Sequence, residues 1–209
     1  SSDVCSSDLH LFGGLREFTE KLNLNKEWII YSYEGNRDVF EQSLPIKVEM
    51  APNYLRLYHY NYAVMDYDGT VTFNKQLGAW DTEGNYLDHY TCGANSLEEN
   101  PLVDPGNGYR FNIVQEVVKC IDINNVINSI TNTDKKAEIY IKCDIEGSEF
   151  KILPKLLKNK NIKYIKEIHI EWHERFWMNN EEEYKKRCFE KDNITNELKQ
   201  LNIGVYLHH

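Results

Sequence analysis

The chain has 209 residues, with 24 Lys and Arg against 33 Asp and Glu, a formal charge of -9 and a pI near 5.3. That length supports one well-packed domain rather than two of ordinary size, and its dispersed basic residues lack the electrostatic footprint that nucleic-acid binding requires. No apolar run approaches the roughly 20 residues that span a bilayer, and the N-terminus lacks the basic and apolar regions of a signal peptide, so a cytoplasmic location is expected.

Residues 1–9 are polar, aperiodic and unlike the rest of the chain. They read as a non-native leader resembling translated sequencing adapter, which leaves residues 10–209 as the domain and implies that a first strand before His10 is missing. The next segment, 15–24, carries Leu15, Phe18 and Leu22 at helical spacing, and 27–33 is strand-like with Trp28, Ile29, Ile30, Tyr31 and Tyr33. A short helix over 36–43 is expected to stop before Pro45. A strand rich in Tyr and Leu comes next at 54–63, and Asp68-Gly69 turns a hairpin into a strand at 70–73. Residues 77–110 are long, polar and glycine-rich, which in a compact domain signals a functional loop or lid.

A strand returns at 111–120, then a short helix at 123–130 and a strand beginning at Ile139. A helix over 148–157 places Phe150, Leu153, Leu156 and Leu157 on one face. A strand at 164–172, a charged helix at 181–201 and a last strand at 203–207 complete the order, with no internal repeat. Strands alternating with helices predict an α/β fold whose largely parallel central sheet is flanked by helices. The five cysteines, at 5, 92, 120, 143 and 188, are odd in number and never form C-x-x-C, so reduced thiols are expected rather than a disulfide framework or zinc site. Cys143 reads as a small apolar filler at a strand end.

The densest chemistry lies at 139–150, where a β-branched and aromatic strand ends in Asp144 and Glu146, then Gly147 and a helix. In open α/β sheets ligands bind beyond the carboxyl ends of strands, so both carboxylates are expected at a cleft mouth. Gly147 permits a sharp turn, and Ser148 can cap the helix. Acids before a helix also commonly serve only as turn and cap residues. Glu34 ends a strand without a basic neighbour before Arg37, a position from which a carboxylate accepts from both hydroxyls of a ribose. Along 164–173, Glu167, His169, Glu171 and His173 alternate with Ile168, Ile170 and Trp172. Such a polar face needs solvent or a cleft. The run His169-x-Glu171-x-His173 also has the composition of a two-histidine, one-carboxylate metal site, although a catalytic base or an exposed strand explains it with fewer assumptions, and no metal ligand is assigned.

Three features converge: the Gly-Gly turn in His10-Leu-Phe-Gly-Gly14, the acid in Tyr33-Glu-Gly-Asn36, and Lys142-Cys-Asp-Ile-Glu-Gly-Ser-Glu149. Together they resemble the FkbM family of S-adenosylmethionine-dependent methyltransferases, over about residues 10–207. The resemblance implies a Rossmann-like methyltransferase fold, S-adenosyl-L-methionine as cofactor, and transfer to a hydroxyl oxygen of a sugar, glycan or polyketide. It places His10, Gly13, Gly14, Glu34, Asn36, Asn61, Ala63, Asp144 and Glu146 around the cofactor, Ser96 near the substrate, and Asp144, Glu171 and His173 where alcohol and methyl meet. Two departures stand out: only the tail of the family's opening Asp-x-Gly motif is present, and Gly35 replaces a frequent proline.

Tyr86, Tyr90 and Tyr109 in the long loop are of the type that stacks on a sugar ring. A small-molecule or glycan acceptor is the expected partner, with neither nucleic acid nor membrane. Three rivals share parts of the pattern. A nicotinamide-dependent oxidoreductase shares the glycine turn and ribose acid, but no full G-x-G-x-x-G or Tyr-x-x-x-Lys accompanies them. A non-catalytic cofactor-binding module and a divalent-metal hydrolase using Asp144, Glu146 and the 169–173 face are the others.

Overall fold

The computed structural model describes residues 18, 21, 22, 26–87 and 108–208. The predicted helix over 15–24 falls mainly outside them, as do His10, Gly13, Gly14, Tyr90 and Ser96; within it, Leu22 N–H donates to the carbonyl of Phe18 at 3.1 Å, a helical spacing. The described order is β1 (Ile29–Tyr33), α1 (Arg37–Met50), β2 (Arg56–Tyr60), β3 (Ala63–Met65), β4 (Gly69–Trp80), β5 (Tyr86–Leu87), β6 (Arg110–Asp122), α2 (Ile123–Thr133), β7 (Ile139–Cys143), α3 (Glu149–Leu157), β8 (Ile165–Glu171), α4 (Glu181–Gln200) and β9 (Gly204–His208). No described helix is long and apolar enough to cross a membrane.

The sheet structure is mixed rather than largely parallel. Parallel pairs join β1 to β2, β3 to β6, and β7 to β8 to β9, whereas β4 runs antiparallel to both β6 and β5. The longest strands, β4 and β6, are the antiparallel ones. The expected hairpin at Asp68-Gly69 also takes a different form, because β6 lies between β3 and β4. Asp68 fastens this crossover: its Oδ1 accepts from the N–H of Asp122 at 2.8 Å, and its Oδ2 accepts from the Asn125 side chain.

Other boundaries shift for local reasons. Helix α1 continues through Pro45 to Met50, where Met50 and Ile46 join an apolar cluster with Ile30, Tyr54 and Leu57. Burial of that end offsets the hydrogen bond lost at the proline. The strand predicted over 54–63 divides, since Asn61 turns its amide toward the carbonyls of Glu34 and Gly35 at 2.8 and 3.3 Å. The predicted loop at 77–110 begins as regular structure: β4 reaches Trp80, and Asp81 Oδ1 accepts from the N–H groups of Glu83 and Asn85 to close a turn into β5. Tyr86 there accepts from Asn112 at 3.1 Å.

The main core arises from helical and strand periodicity. On α2, Ile123, Val126, Ile127 and Ile130 recur at helix spacing and are buried. On α3, Phe150, Ile152, Leu153 and Leu156 are buried. They meet Ile139 and Ile141 of β7, Ile168 and Ile170 of β8, and Cys143, which is a core residue. Each fully buried Ile or Leu contributes about 1.5–3 kcal/mol. Tyr33 belongs to the same cluster, and Trp28 meets the Tyr140 ring edge-on at 5.2 Å. The carboxyl ends of β1, β7 and β8 are thereby anchored on one core.

Candidate active site

Beyond Cys143 the chain reverses through two residues with left-handed backbone, Glu146 at φ 51° and Gly147 at φ 97°. Glycine adopts this freely, whereas a residue with a Cβ is strained there by about 1–2 kcal/mol. The reversal turns Asp144 and Glu146 toward the end of β8 and starts α3 immediately. Ser148 does not cap that helix: its backbone is already helical, and its hydroxyl is buried without a hydrogen-bond partner among the described residues. Glu149 holds the turn instead, with Oε2 accepting the N–H of Gly147 at 2.9 Å.

The other oxygen of Glu149 reaches across to the residue that comes after β8 and Trp172. Its Oε1 accepts the backbone N–H of His173 at 2.8 Å and lies 2.7 Å from His173 Nδ1. Neither side chain has any exposed surface. The opposite ring nitrogen, Nε2, then faces three carboxylates: Glu146 Oε2 at 3.1 Å, Glu171 Oε1 at 3.6 Å and Asp144 Oδ1 at 3.8 Å. None is aligned as a hydrogen bond to Nε2. Asp144 Oδ2 pairs with Lys142 Nζ at 3.0 Å, both side chains being buried.

Burial by itself would lower the pKa of His173, but the hydrogen bond and charge of Glu149, with the charge of Glu146, outweigh it and raise the imidazole to about 9. Burial pushes Glu146 up to about 8, with His173 opposing and Asp144 adding to the rise.

Glu34 stands at the end of β1, 4% exposed. Its Oε1 accepts the N–H of Asn36 at 2.6 Å, and no second hydrogen bond reaches the carboxylate among the described residues. Burial raises its pKa to about 8; the Asn36 N–H opposes this, and the nearby charge of Asp144 adds to it. The charge of Asp144, in the turn after β7, thus reaches Glu34 at the end of β1. Asn36 is the N-cap of α1, its Oδ1 accepting from Asp38 and Val39 N–H groups. Asn61 fixes the backbone on either side of Gly35, and Ala63 is a buried strand residue. These three shape the floor beside Glu34 through backbone and packing.

The polar face predicted on β8 is divided. His169 is fully buried, edge-on to Phe18 and stacked on Tyr206, with Glu167 at 3.3 Å. It is a packing residue and stands outside the His173 cluster, so the His169-x-Glu171-x-His173 run does not converge. The group that does converge is Asp144, Glu146 and His173, whose ligand atoms lie within 4.8 Å of one another. Sequence reading missed Glu149 and Lys142. The signals for them were an acid on the buried face of an apolar helix and a lysine inside a buried strand. A separate cavity of about 330 Å3, lined by Tyr31, Tyr33, Tyr60 and Tyr62 with α2, contains none of these acids.

An α/β chain whose strand ends carry buried, mutually interacting acids has the build of proteins that bind a ligand at the carboxyl edge of a sheet. The family model of the Methyltransferase FkbM domain matches residues 13–202, and the chain belongs to that family and is a methyltransferase. No curated protein and no solved structure matches it.

Proposed function

We propose that this methyltransferase uses S-adenosyl-L-methionine and delivers the methyl group to a hydroxyl oxygen of a sugar or glycan. The observation that carries the reading is Glu34: a buried carboxylate at a strand end, with one backbone donor and no paired cation among the described residues. Such a group is costly as an anion unless further donors arrive, and the two hydroxyls of an adenosine ribose supply them. Family membership supports the same cofactor. When bound, it supplies a methyl group activated by a positively charged sulfur.

The chain's own residues do the rest. Glu34 fixes the ribose, and the floor set by Asn36, Asn61 and Ala63 orients the nucleoside, with Gly13 and Gly14 as the family's counterpart at the amino-acid end. Acceptor and methyl must be aligned in a dry site, which is where most of the acceleration arises. The acceptor's proton passes to Glu171. Of the carboxylates around His173, this one keeps 28% side-chain exposure, and Asp144 is engaged by Lys142. His173, fixed by Glu149 at Nδ1 and at its own backbone N–H, positions Glu171 and Asp144. General-base help of this kind contributes about 10²–10⁴ in rate.

Calorimetric titration of S-adenosylhomocysteine and of NAD, side by side, into the chain and its Glu34→Ala variant tests the reading. Saturable binding of the homocysteine product that the variant loses is expected. Binding of NAD in its place, or no response to either ligand, overturns it. Product binding with no methylation of any hydroxyl acceptor would instead favour a cofactor-binding module without catalysis.

A further inference from the structure

We propose that Asp144, Glu146 and His173 bind one divalent cation of the Mn2+ or Mg2+ type at the turn after β7. The three donors are two carboxylates and an imidazole nitrogen, all buried, with ligand atoms within 4.8 Å of one another. Ligands about 2.1 Å from a metal and at right angles are about 3.0 Å apart. The 3.1 Å from His173 Nε2 to Glu146 and the 3.8 Å to Asp144 are compatible with donors disposed around one ion.

A second observation, independent of the acids, is the state of the His173 ring. Metal-bound histidines characteristically direct their other nitrogen to a carboxylate or carbonyl, which fixes the tautomer. Here Glu149 Oε1 sits 2.7 Å from Nδ1 and also holds the backbone N–H of the same residue. Nε2 is left wholly buried and without a hydrogen bond among the described residues, aimed between carboxylates. A lone pair directed at carboxylate oxygens is repulsive unless a positive centre lies between them. A proton on Nε2 supplies one such centre; a metal ion satisfies all three donors together.

Charge points the same way. Asp144, Glu146, Glu149 and Glu171 crowd one imidazole. Among the described residues the fixed cations nearby are Lys142, paired with Asp144, and Arg175, 3.5 Å from Glu171 on the solvent side. Two carboxylate oxygens against one imidazole nitrogen, with no thiolate in the set, is a donor balance that suits a hard to borderline divalent ion. Glu171, partly exposed, marks the side on which water or an acceptor hydroxyl completes the coordination. The role of the ion toward the acceptor rests on the methyl-transfer reading; its binding does not.

The test is titration of Mn2+ into the EDTA-dialysed full chain, with free ion tracked by electron paramagnetic resonance. One saturable ion per chain is expected. Asp144→Asn and Glu146→Gln should each weaken binding at least tenfold, Glu149→Gln by about 10–100-fold, and His169→Ala less than twofold. Pulsed resonance on the wild-type complex should show a directly bound imidazole nitrogen, which decides the matter even where a variant misfolds. Absence of saturable binding, retention of it in both carboxylate variants, or a bound ion without nitrogen coupling overturns the proposal. Homocysteine-product titration, run separately, shows whether the cofactor reading stands or falls by itself.

Discussion

Glu149 Oε1 receives both the backbone N–H and Nδ1 of His173, at 2.8 and 2.7 Å, across 24 residues of sequence. With Oε2 on the N–H of Gly147, one buried side chain ties the start of α3, the turn after β7 and the end of β8 together. Removing one partner of a buried ionic pair leaves the other without compensation, at about 3–5 kcal/mol. Glu149→Ala should therefore shift the urea midpoint strongly, and Glu149→Gln, which keeps an acceptor for one N–H, should shift it less. An alanine variant within about 1 kcal/mol of wild type would show that the link is not structural.

Glu34 makes stability depend on pH in an unusual direction for an acid. Its folded pKa of about 8 lies above the ordinary 4.5, so between those values the folded state holds a proton that the unfolded state has released. Its contribution is full below pH 4.5 and is lost as pH rises toward 8, by at most about 1.4 kcal/mol per pH unit. Urea unfolding at pH 5.5 and 7.5 should show a loss of stability across the interval that Glu34→Gln reduces. A variant with an unchanged difference would remove Glu34 as its source. If ribose hydroxyls donate to this carboxylate, nucleoside binding near pH 7 releases a proton, which calorimetry in buffers of different ionisation enthalpy would read directly.

Local signals made much of this chain legible. The acid at the end of β1, the strand-turn-helix at 139–157 and the apolar faces of α2 and α3 each rest on periodicity or on one turn. Sheet direction was harder, because the β3-to-β4 connection gives no local sign that β6 lies between them; the Asp68 bonds to Asp122 and Asn125 that fix it span more than 50 residues. The metal-like pattern on 169–173 failed for a related reason. Alternation says which side chains share a face but not what covers that face, and Phe18 and Tyr206 cover His169. His173 lies beyond the last paired residue of β8, where Glu149 rather than the strand sets its direction.

That division predicts unlike consequences for the two histidines. His169→Ala opens a cavity against Phe18, 4.9 Å away, and Tyr206, 4.6 Å away, and should cost about 2–3 kcal/mol. Homocysteine-product affinity should stay within twofold. His173→Ala should lower turnover by more than tenfold while changing product affinity far less. Chemical unfolding and calorimetry on both variants check the contrast, and a His169 variant that folds normally but loses ligand binding would contradict it.

Glu146 allows the stability of the turn to be tested apart from its chemistry. Its backbone occupies the left-handed region at φ 51°, and its carboxylate is buried beside Asp144. Glycine at this position removes a conformational strain of about 1–2 kcal/mol and a buried acid, while adding about 0.5–1 kcal/mol of unfolded-chain entropy. The Glu146→Gly variant should thus unfold at an equal or higher urea concentration than the wild type. The same change deletes the carboxylate nearest His173 Nε2, so methyl transfer should fall by more than tenfold. A non-glycine residue in a strained backbone conformation beside a cluster of buried acids points to a role beyond the turn, which the variant tests. A stabilised variant with normal turnover would assign Glu146 to the turn alone, whereas marked destabilisation would show that its contact with His173 outweighs the strain.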